Sequence, residues 1–132
     1  NFGAIIRTCE SKGIKTIIIP KDRSVLVNDT VYKTSEGAID NVKIVMVTNL
    51  INTINKLKEM NYFVYCADMD GEDYRKVSYA NKKVLVIGNE GLGISSGVKK
   101  NSDVVVGIPM KGKINSLNAS VSAGILIYRM DD

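Results

Sequence analysis

Three segments of this chain combine glycine, amide and hydroxyl residues in patterns that suit the binding of a small ligand. Residues 1–7 contain Asn1 and Arg7, residues 88–93 contain three glycines, and residues 108–120 place polar side chains ahead of an apolar stretch. Glycine lets a backbone approach a ligand closely. Hydroxyl and amide groups that become buried must find hydrogen-bond partners in the protein or in a ligand. These segments are therefore the candidates for a functional site.

Each pattern also has a simpler interpretation. The glycine segment at residues 88–93 follows a predicted strand, so it could be a plain strand-to-helix turn. A dinucleotide-binding fingerprint needs the order G-x-G-x-x-G and an acidic residue closing the next strand. Here the order is G-x-x-G-x-G, and the strand ending near Ile108 closes without an acid. Helix capping explains Ser116 or Asn118 alone, but it covers these two and Ser120 together less well.

The elements that must position these segments follow from hydrophobic periodicity. Apolar residues at i, i+3, i+4 and i+7 predict amphipathic helices, and short β-branched runs bounded by glycine, proline or polar residues predict strands. Five strands alternate with helices, which indicates an α/β domain with a mostly parallel sheet. In such a sheet, ligands bind beyond the carboxyl ends of the strands. The predicted strands are residues 16–19, 43–47, 63–67, 84–87 and 103–110, and the predicted helices are residues 2–9, 50–57 and 116–130, with a short one near Asn28.

The last predicted helix has few polar positions on any face, so we expect it to be buried nearly all round. Small residues such as Ala123 and Gly124 would let another helix or backbone come close. Self-association is a natural way for so short a chain to cover this surface, and we expect a homodimer.

Composition narrows the classes of function. The 132 residues suit one domain, residues 1–132, and include no histidine and only two cysteines, Cys9 and Cys66. We therefore expect no metal site, no histidine-based triad, and a reducing cytoplasmic location with both thiols in the core. No apolar run approaches the roughly 20 residues of a membrane-spanning helix, and the start lacks a signal-peptide pattern. A net charge of +4 permits, without requiring, attraction to nucleic-acid phosphates.

At these same segments the sequence resembles the SpoU class of RNA ribose 2′-O-methyltransferases, within the SPOUT superfamily. Residues 1–7 resemble its N-x-G-x-x-x-R first motif, residues 88–93 its second, and residues 108–110 with 116–120 its third, in the right order and across essentially the whole chain. The resemblance implies a SPOUT fold whose C-terminal part forms a deep trefoil knot. It implies a homodimer that transfers a methyl group from S-adenosylmethionine to a ribose 2′-hydroxyl of ribosomal or transfer RNA.

The resemblance also implies roles for individual residues. Arg7 is the family's proposed base, but arginine accepts a proton poorly at neutral pH. We favour Arg7 as a clamp on the adjacent phosphate and on the developing alkoxide, with Glu90 holding Arg7 and Asn1 in place. A catalytically silent RNA-binding or dimerisation module is the alternative. Many members of the class carry a separate RNA-binding domain ahead of the first motif, whereas this chain begins inside that motif. We therefore expect a truncated start and an upstream RNA-binding domain that is absent from this chain, which leaves the choice of RNA open. The implied cofactor-binding residues are Ala67, Gly88, Asn89, Ile108, Met110, Ser116 and Leu117, and the implied catalytic residues are Asn1, Arg7, Glu90, Ser116 and Asn118.

Overall fold

A computed structural model of the chain describes residues 2–22, 28–88, 93–114 and 116–131. The chain divides into two compact units, Asn1–Leu50 and Ile51–Asp132, and each is described by itself. Both units contain parallel strands flanked in sequence by helices, which confirms the predicted α/β class. None of the helices in the described ranges has the length and apolar character that crossing a membrane requires.

The first unit is built around one pair of parallel strands. Its strands β1 and β2 pair in register from Thr16 with Lys43 to Pro20 with Val47. Gly13 takes a left-handed φ of 79° just after the first helix, a conformation that glycine adopts readily. The elements in chain order are α1 (Phe2–Ser11), β1 (Thr16–Pro20), α2 (Asp29–Ser35), a 3-10 helix (Ala38–Asn41) and β2 (Lys43–Val47).

The second unit holds a three-stranded parallel sheet in the order β4-β3-β5. Its core joins Tyr65 and Val106 of the sheet to Leu126 and Met130 of the last helix. The elements in chain order are α3 (Leu50–Glu59), β3 (Phe63–Asp73), β4 (Lys83–Val86), α4 (Ser96–Asn101), β5 (Val104–Gly107) and α5 (Ala119–Met130).

Strand β3 is interrupted in a way that matters for the site. Ala67 pairs with Val106, the chain then makes an irregular excursion, and Glu72 pairs with Val106 again. Within the excursion, a Cβ on Gly71 would lie only 2.5 Å from the carbonyl carbon of Val106. The backbone of Gly71 is therefore packed directly on β5, and a side chain has no room there.

Several predicted boundaries were wrong. Helix α4 was not predicted, and β3 runs beyond the predicted residue 67 to Asp73. Strand β5 ends at Gly107 rather than at residue 110. Helix α5 begins at Ala119 rather than at residue 116, because the side chain of Asn118 caps it from outside.

The expectation that α5 is buried nearly all round was also wrong for the single chain. Its buried residues are Ala123, Leu126, Ile127 and Met130, which lie on one face. On the remaining surface, Val121 and Tyr128 are 49% and 47% exposed.

Candidate active site

The carboxyl ends of the three strands in the second unit lie side by side. Cys66 pairs with Val86 of β4 and with Val105 of β5, so the residues that follow these three positions lie at the same end of the sheet. Ala67, Ile87 and Ile108 all pack against the same core cluster. The structure thus brings the predicted Ala67 and Ile108 together and adds Ile87, which the sequence analysis did not single out.

The glycine segment after β4 closes on itself. A Cβ on Gly88 would lie 2.5 Å from the carbonyl carbon of Gly93 and 2.9 Å from the nitrogen of Ile94. Gly93 has a positive φ of 67°, which favours glycine. The two ends of the segment are therefore in contact, and glycine is needed at both for steric reasons. The predicted Asn89 and Glu90 lie outside the described residues.

The polar entrance to α5 is exposed and is organised by one side chain. The Asn118 carboxamide oxygen accepts hydrogen bonds from the Ser120 nitrogen at 2.9 Å and from the Ser120 hydroxyl at 2.6 Å. Helix capping therefore accounts for Asn118 and Ser120, as the simpler interpretation held. Ser116 and Leu117 lie in the exposed approach to the helix, and Met110 is partly buried.

The first predicted motif lies in the first unit, on helix α1. A Cβ on Gly3 would lie 2.6 Å from the Cβ of Thr34, so glycine is required where α1 packs on α2. One turn further along α1, Arg7 forms an ion pair with Glu36 at 3.1 Å, with both side chains more than half exposed. Glu36 is the C-cap of α2 and has a positive φ of 54°. Sequence reasoning missed Glu36, and Asn1 lies outside the described residues.

Two partly buried charges lie beside Ala67, where the regular pairing of β3 is interrupted. Asp68 follows Ala67 directly and accepts a hydrogen bond from the Lys99 ammonium group of α4 at 3.0 Å. This bond raises the pKa of Lys99 above its ordinary value. Burial raises the pKa of the neighbouring Cys66 thiol, which keeps it protonated at neutral pH.

The described residues offer no metal site, since no three of their cysteine, aspartate and glutamate side chains gather to hold an ion. Ala67, Ile87 and Ile108 at the strand ends are apolar, and Asp68 and Lys99 place two charges beside them. Such a lining suits an organic ligand with an apolar body and a few polar atoms.

Sequence comparison identifies the class of protein. The chain matches the model of the SpoU rRNA Methylase family over residues 1–128 and belongs to that family. This membership confirms the resemblance found in the three motifs and displaces the dinucleotide-binding alternative. An uncharacterized tRNA/rRNA methyltransferase of Borreliella burgdorferi is 47% identical over 131 residues, covering 98% of this chain and 58% of that relative. The chain spans about half the length of the curated relatives it matches.

Solved structures give the same fold. A TrmH/SpoU tRNA modifying enzyme of A. aeolicus superimposes with a TM-score of 0.88 and 28% identity, covering 98% of this chain and 66% of the other. An rRNA methyltransferase of Sinorhizobium meliloti with AdoMet bound gives a TM-score of 0.85 and 26% identity, covering 98% of this chain and 50% of the other. These two matches confirm the predicted parallel α/β architecture.

Proposed function

We propose that this chain is the catalytic domain of an RNA methyltransferase that moves a methyl group from S-adenosylmethionine (AdoMet) to a ribose 2′-hydroxyl of ribosomal or transfer RNA. The observation that carries the proposal is the alignment of three strand ends, marked by Ala67, Ile87 and Ile108, beside a self-closed glycine segment. Membership of the SpoU family and the AdoMet-bound S. meliloti neighbour support the same conclusion.

The residues at the strand ends fit AdoMet. Ile87, Ile108 and Leu117 supply apolar surface, and the backbone at Gly88 and Met110 supplies amide and carbonyl groups for the polar edge of an adenine. When bound, AdoMet supplies an electrophilic methyl group on its sulfonium. We propose that AdoMet is bound by residues that follow the strands and precede α5: Ala67, Gly88, Asn89, Ile108, Met110, Ser116 and Leu117.

The catalytic roles fall to residues that handle the sugar and its phosphate. Arg7 is exposed and has guanidinium donors besides the one facing Glu36, so it is suited to clamp a phosphate and to stabilise the alkoxide. Asn118 and Ser116 would orient the ribose, and Glu90 and Asn1 would hold Arg7. A phosphate oxygen or a water would take the proton of the hydroxyl, since arginine remains charged.

Three further properties belong to the proposal. The trefoil knot is supported by strand pairing, because Val106 of β5 pairs with both Ala67 and Glu72 of β3. A strand residue takes one partner on each side, so Ala67 and Glu72 lie on opposite sides of β5. The chain that leads on to β4 then surrounds β5. A homodimer is supported by the exposed apolar Val121 and Tyr128 of α5. A cytoplasmic location fits an RNA substrate and two free buried thiols.

Two measurements test this function. Titration calorimetry should detect binding of AdoMet and no binding of NAD. Incubation with methyl-labelled AdoMet and with ribosomal or transfer RNA should label a nucleotide whose 2′-O-methyl group is located by mapping. Binding of AdoMet and RNA without transfer would establish the silent module instead, and failure to bind AdoMet would refute the proposal.

The role of Arg7 has its own test. Arg7→Lys keeps the positive charge but loses the bidentate hydrogen bonding to the phosphate. We therefore expect the methylation rate to fall by about tenfold or more. The pH–rate profile should keep its shape, because Arg7 does not exchange the proton. A parent-like rate would refute the phosphate clamp.

A further inference from the structure

Asp68 occupies a position that connects two parts of the proposed AdoMet site. It follows Ala67 directly, and its side chain is only 18% exposed. Its carboxylate accepts hydrogen bonds from Lys99 at 3.0 Å and from the backbone nitrogen of Asp70 at 3.3 Å. Lys99 belongs to α4, the helix that follows the glycine segment at residues 88–93. The ion pair thus joins the irregular loop within β3, residues 68–71, to the helix after the glycine segment.

The loop held by Asp68 is in close contact with β5 as well. A Cβ on Gly107 would lie 2.8 Å from the Asp68 carbonyl oxygen and 3.1 Å from that of Gly71. Any displacement of residues 68–71 would therefore disturb the end of β5, where the chain runs on to Ile108 and Met110. The loop therefore contacts the end of β5 directly and is joined, through Lys99, to the helix that follows the glycine segment.

We propose that the Lys99–Asp68 ion pair positions AdoMet by holding the irregular loop within β3, residues 68–71, in the conformation that the cofactor needs. The inference rests on the proposed function. Neither side chain touches the reacting atoms in this scheme, so both are positioning residues rather than catalytic ones. The Lys99 ammonium is hydrogen-bonded to Asp68, and Asp70 and the Cys66 thiol also act on it, which together raise the pKa of Lys99.

A second ion pair in the same unit provides a matched control. Lys58 and Asp103 lie 3.9 Å apart, with side chains 35% and 24% exposed, against 38% and 18% for Lys99 and Asp68. Asp103 immediately precedes β5 and accepts a hydrogen bond from the Val64 nitrogen, so this pair belongs to the amino end of the sheet. If ion pairs of this kind acted only on the stability of the fold, removing Lys58 and removing Lys99 would change AdoMet affinity by similar amounts.

The experiment compares AdoMet affinity by titration calorimetry in the parent chain and in Lys99→Met, Asp68→Asn, Lys99→Arg and Lys58→Met. If the loop is competent for about one tenth of the time without the pair, the AdoMet Kd rises about tenfold in the first two variants. Lys99→Arg keeps the pair and should stay within about twofold of the parent, as should Lys58→Met. With saturating AdoMet, kcat of Lys99→Met should approach the parent value while its KM for AdoMet stays high.

The outcomes separate the possible failures. A parent chain that does not bind AdoMet refutes the proposed function itself. A parent that binds AdoMet, with Lys99→Met and Asp68→Asn binding equally well, refutes the positioning role alone. Thermal melting of each variant checks folding, and an equal loss of affinity in Lys58→Met would also overturn the inference, because it would show a general effect of losing any ion pair.

Discussion

Gly71→Ala would test the close packing of the irregular part of β3 on β5. The added Cβ would lie 2.5 Å from the carbonyl carbon of Val106 and 2.7 Å from both carbonyl atoms of Val105. Carbon atoms in favourable contact are about 3.5–4.0 Å apart, so relief requires a shift of roughly 1 Å. The obstructing atoms are backbone, and Val106 is fully buried, so neither partner moves easily.

The magnitude follows from the cost of overpacking. Forcing an extra carbon into a well-packed interior destabilises by about 1–3 kcal/mol, and we expect the upper half of that range because backbone obstructs it. Gly71 is not among the glycines with positive φ, so the alanine suffers no backbone strain and the effect is purely steric. For a chain of 132 residues, this loss corresponds to a fall in Tm of about 7–11 °C.

The assay is urea unfolding followed by circular dichroism, with Gly112→Ala as the control. A Cβ on Gly112 would have no neighbouring atom within 4 Å, and the φ of Gly112 is not positive. Its replacement by alanine should therefore leave stability unchanged or raise it by up to about 1 kcal/mol. Unfolding free energies of the two variants within about 0.5 kcal/mol of each other would refute the proposed contact between Gly71 and β5.

Three other predictions concern separate parts of the chain. Hydrogen bonds from Arg75 lower the pKa of Asp73 from 3.8 to about 2, so the stabilisation from this pair is complete above about pH 3.8 and is lost as pH falls toward 2. NMR titration should find the low midpoint. Arg75→Gln should raise it toward the ordinary value, because the guanidinium hydrogen bonds and charge are lost while the backbone hydrogen bond from residue 75 remains. Burial raises the pKa of Cys9 to about 11, so a thiol reagent at pH 8 should label both cysteines, Cys9 and Cys66, only after denaturation. Ile54→Ala should cost about 2–5 kcal/mol in urea unfolding, since Ile54 is only 2% exposed.

Each of these has a result that would contradict it. An Asp73 midpoint near 3.8 in the parent would mean that the hydrogen bonds from Arg75 do not persist in solution. Rapid labelling of Cys9 in the native chain would show that its helix packs loosely. A loss below about 1 kcal/mol for Ile54→Ala would indicate that the site lies outside the cooperative core.

The periodic elements were predictable because their signals are local. Helices α1 and α3 carry apolar stripes, and their predicted cores at residues 2–9 and 50–57 fall inside the observed helices. Helix α4 escaped because its six residues bury only Val98, too few to form a stripe. Its one local sign was Ser95, whose hydroxyl caps the helix by accepting from the Val98 nitrogen.

The extension of β3 could not be predicted from local pattern. Its second stretch has an acidic, glycine-containing sequence that is typical of a turn, and Glu72 and Asp73 are extended because they pair with β5. That partner is distant in sequence, so no short window contains the signal. The Asp68–Lys99 pair escaped for the same reason.

Sequence patterns located the strand ends of the second unit, but they did not give the side-chain contacts. Motif order located the strand ends and the family, because glycine and strand patterns survive in sequence. The ion pair between Arg7 and Glu36 could not be found, since Glu36 lies at the end of a different helix in a polar stretch without periodicity. Asn118 was correctly placed at the helix entrance, but its capping role depends on a backbone geometry that sequence alone leaves open.

The pairing of Val106 with both Ala67 and Glu72 constrains the order in which a chain leaving the ribosome acquires its structure. The stretch at residues 68–73 is synthesised well before β5, so it has no strand to pair with when it emerges. A nascent chain stalled between β4 and β5 would expose this stretch as an open strand edge, the kind of surface on which other chains add. Synthesis of β5 therefore ends the period in which residues 68–73 lack a strand to pair with.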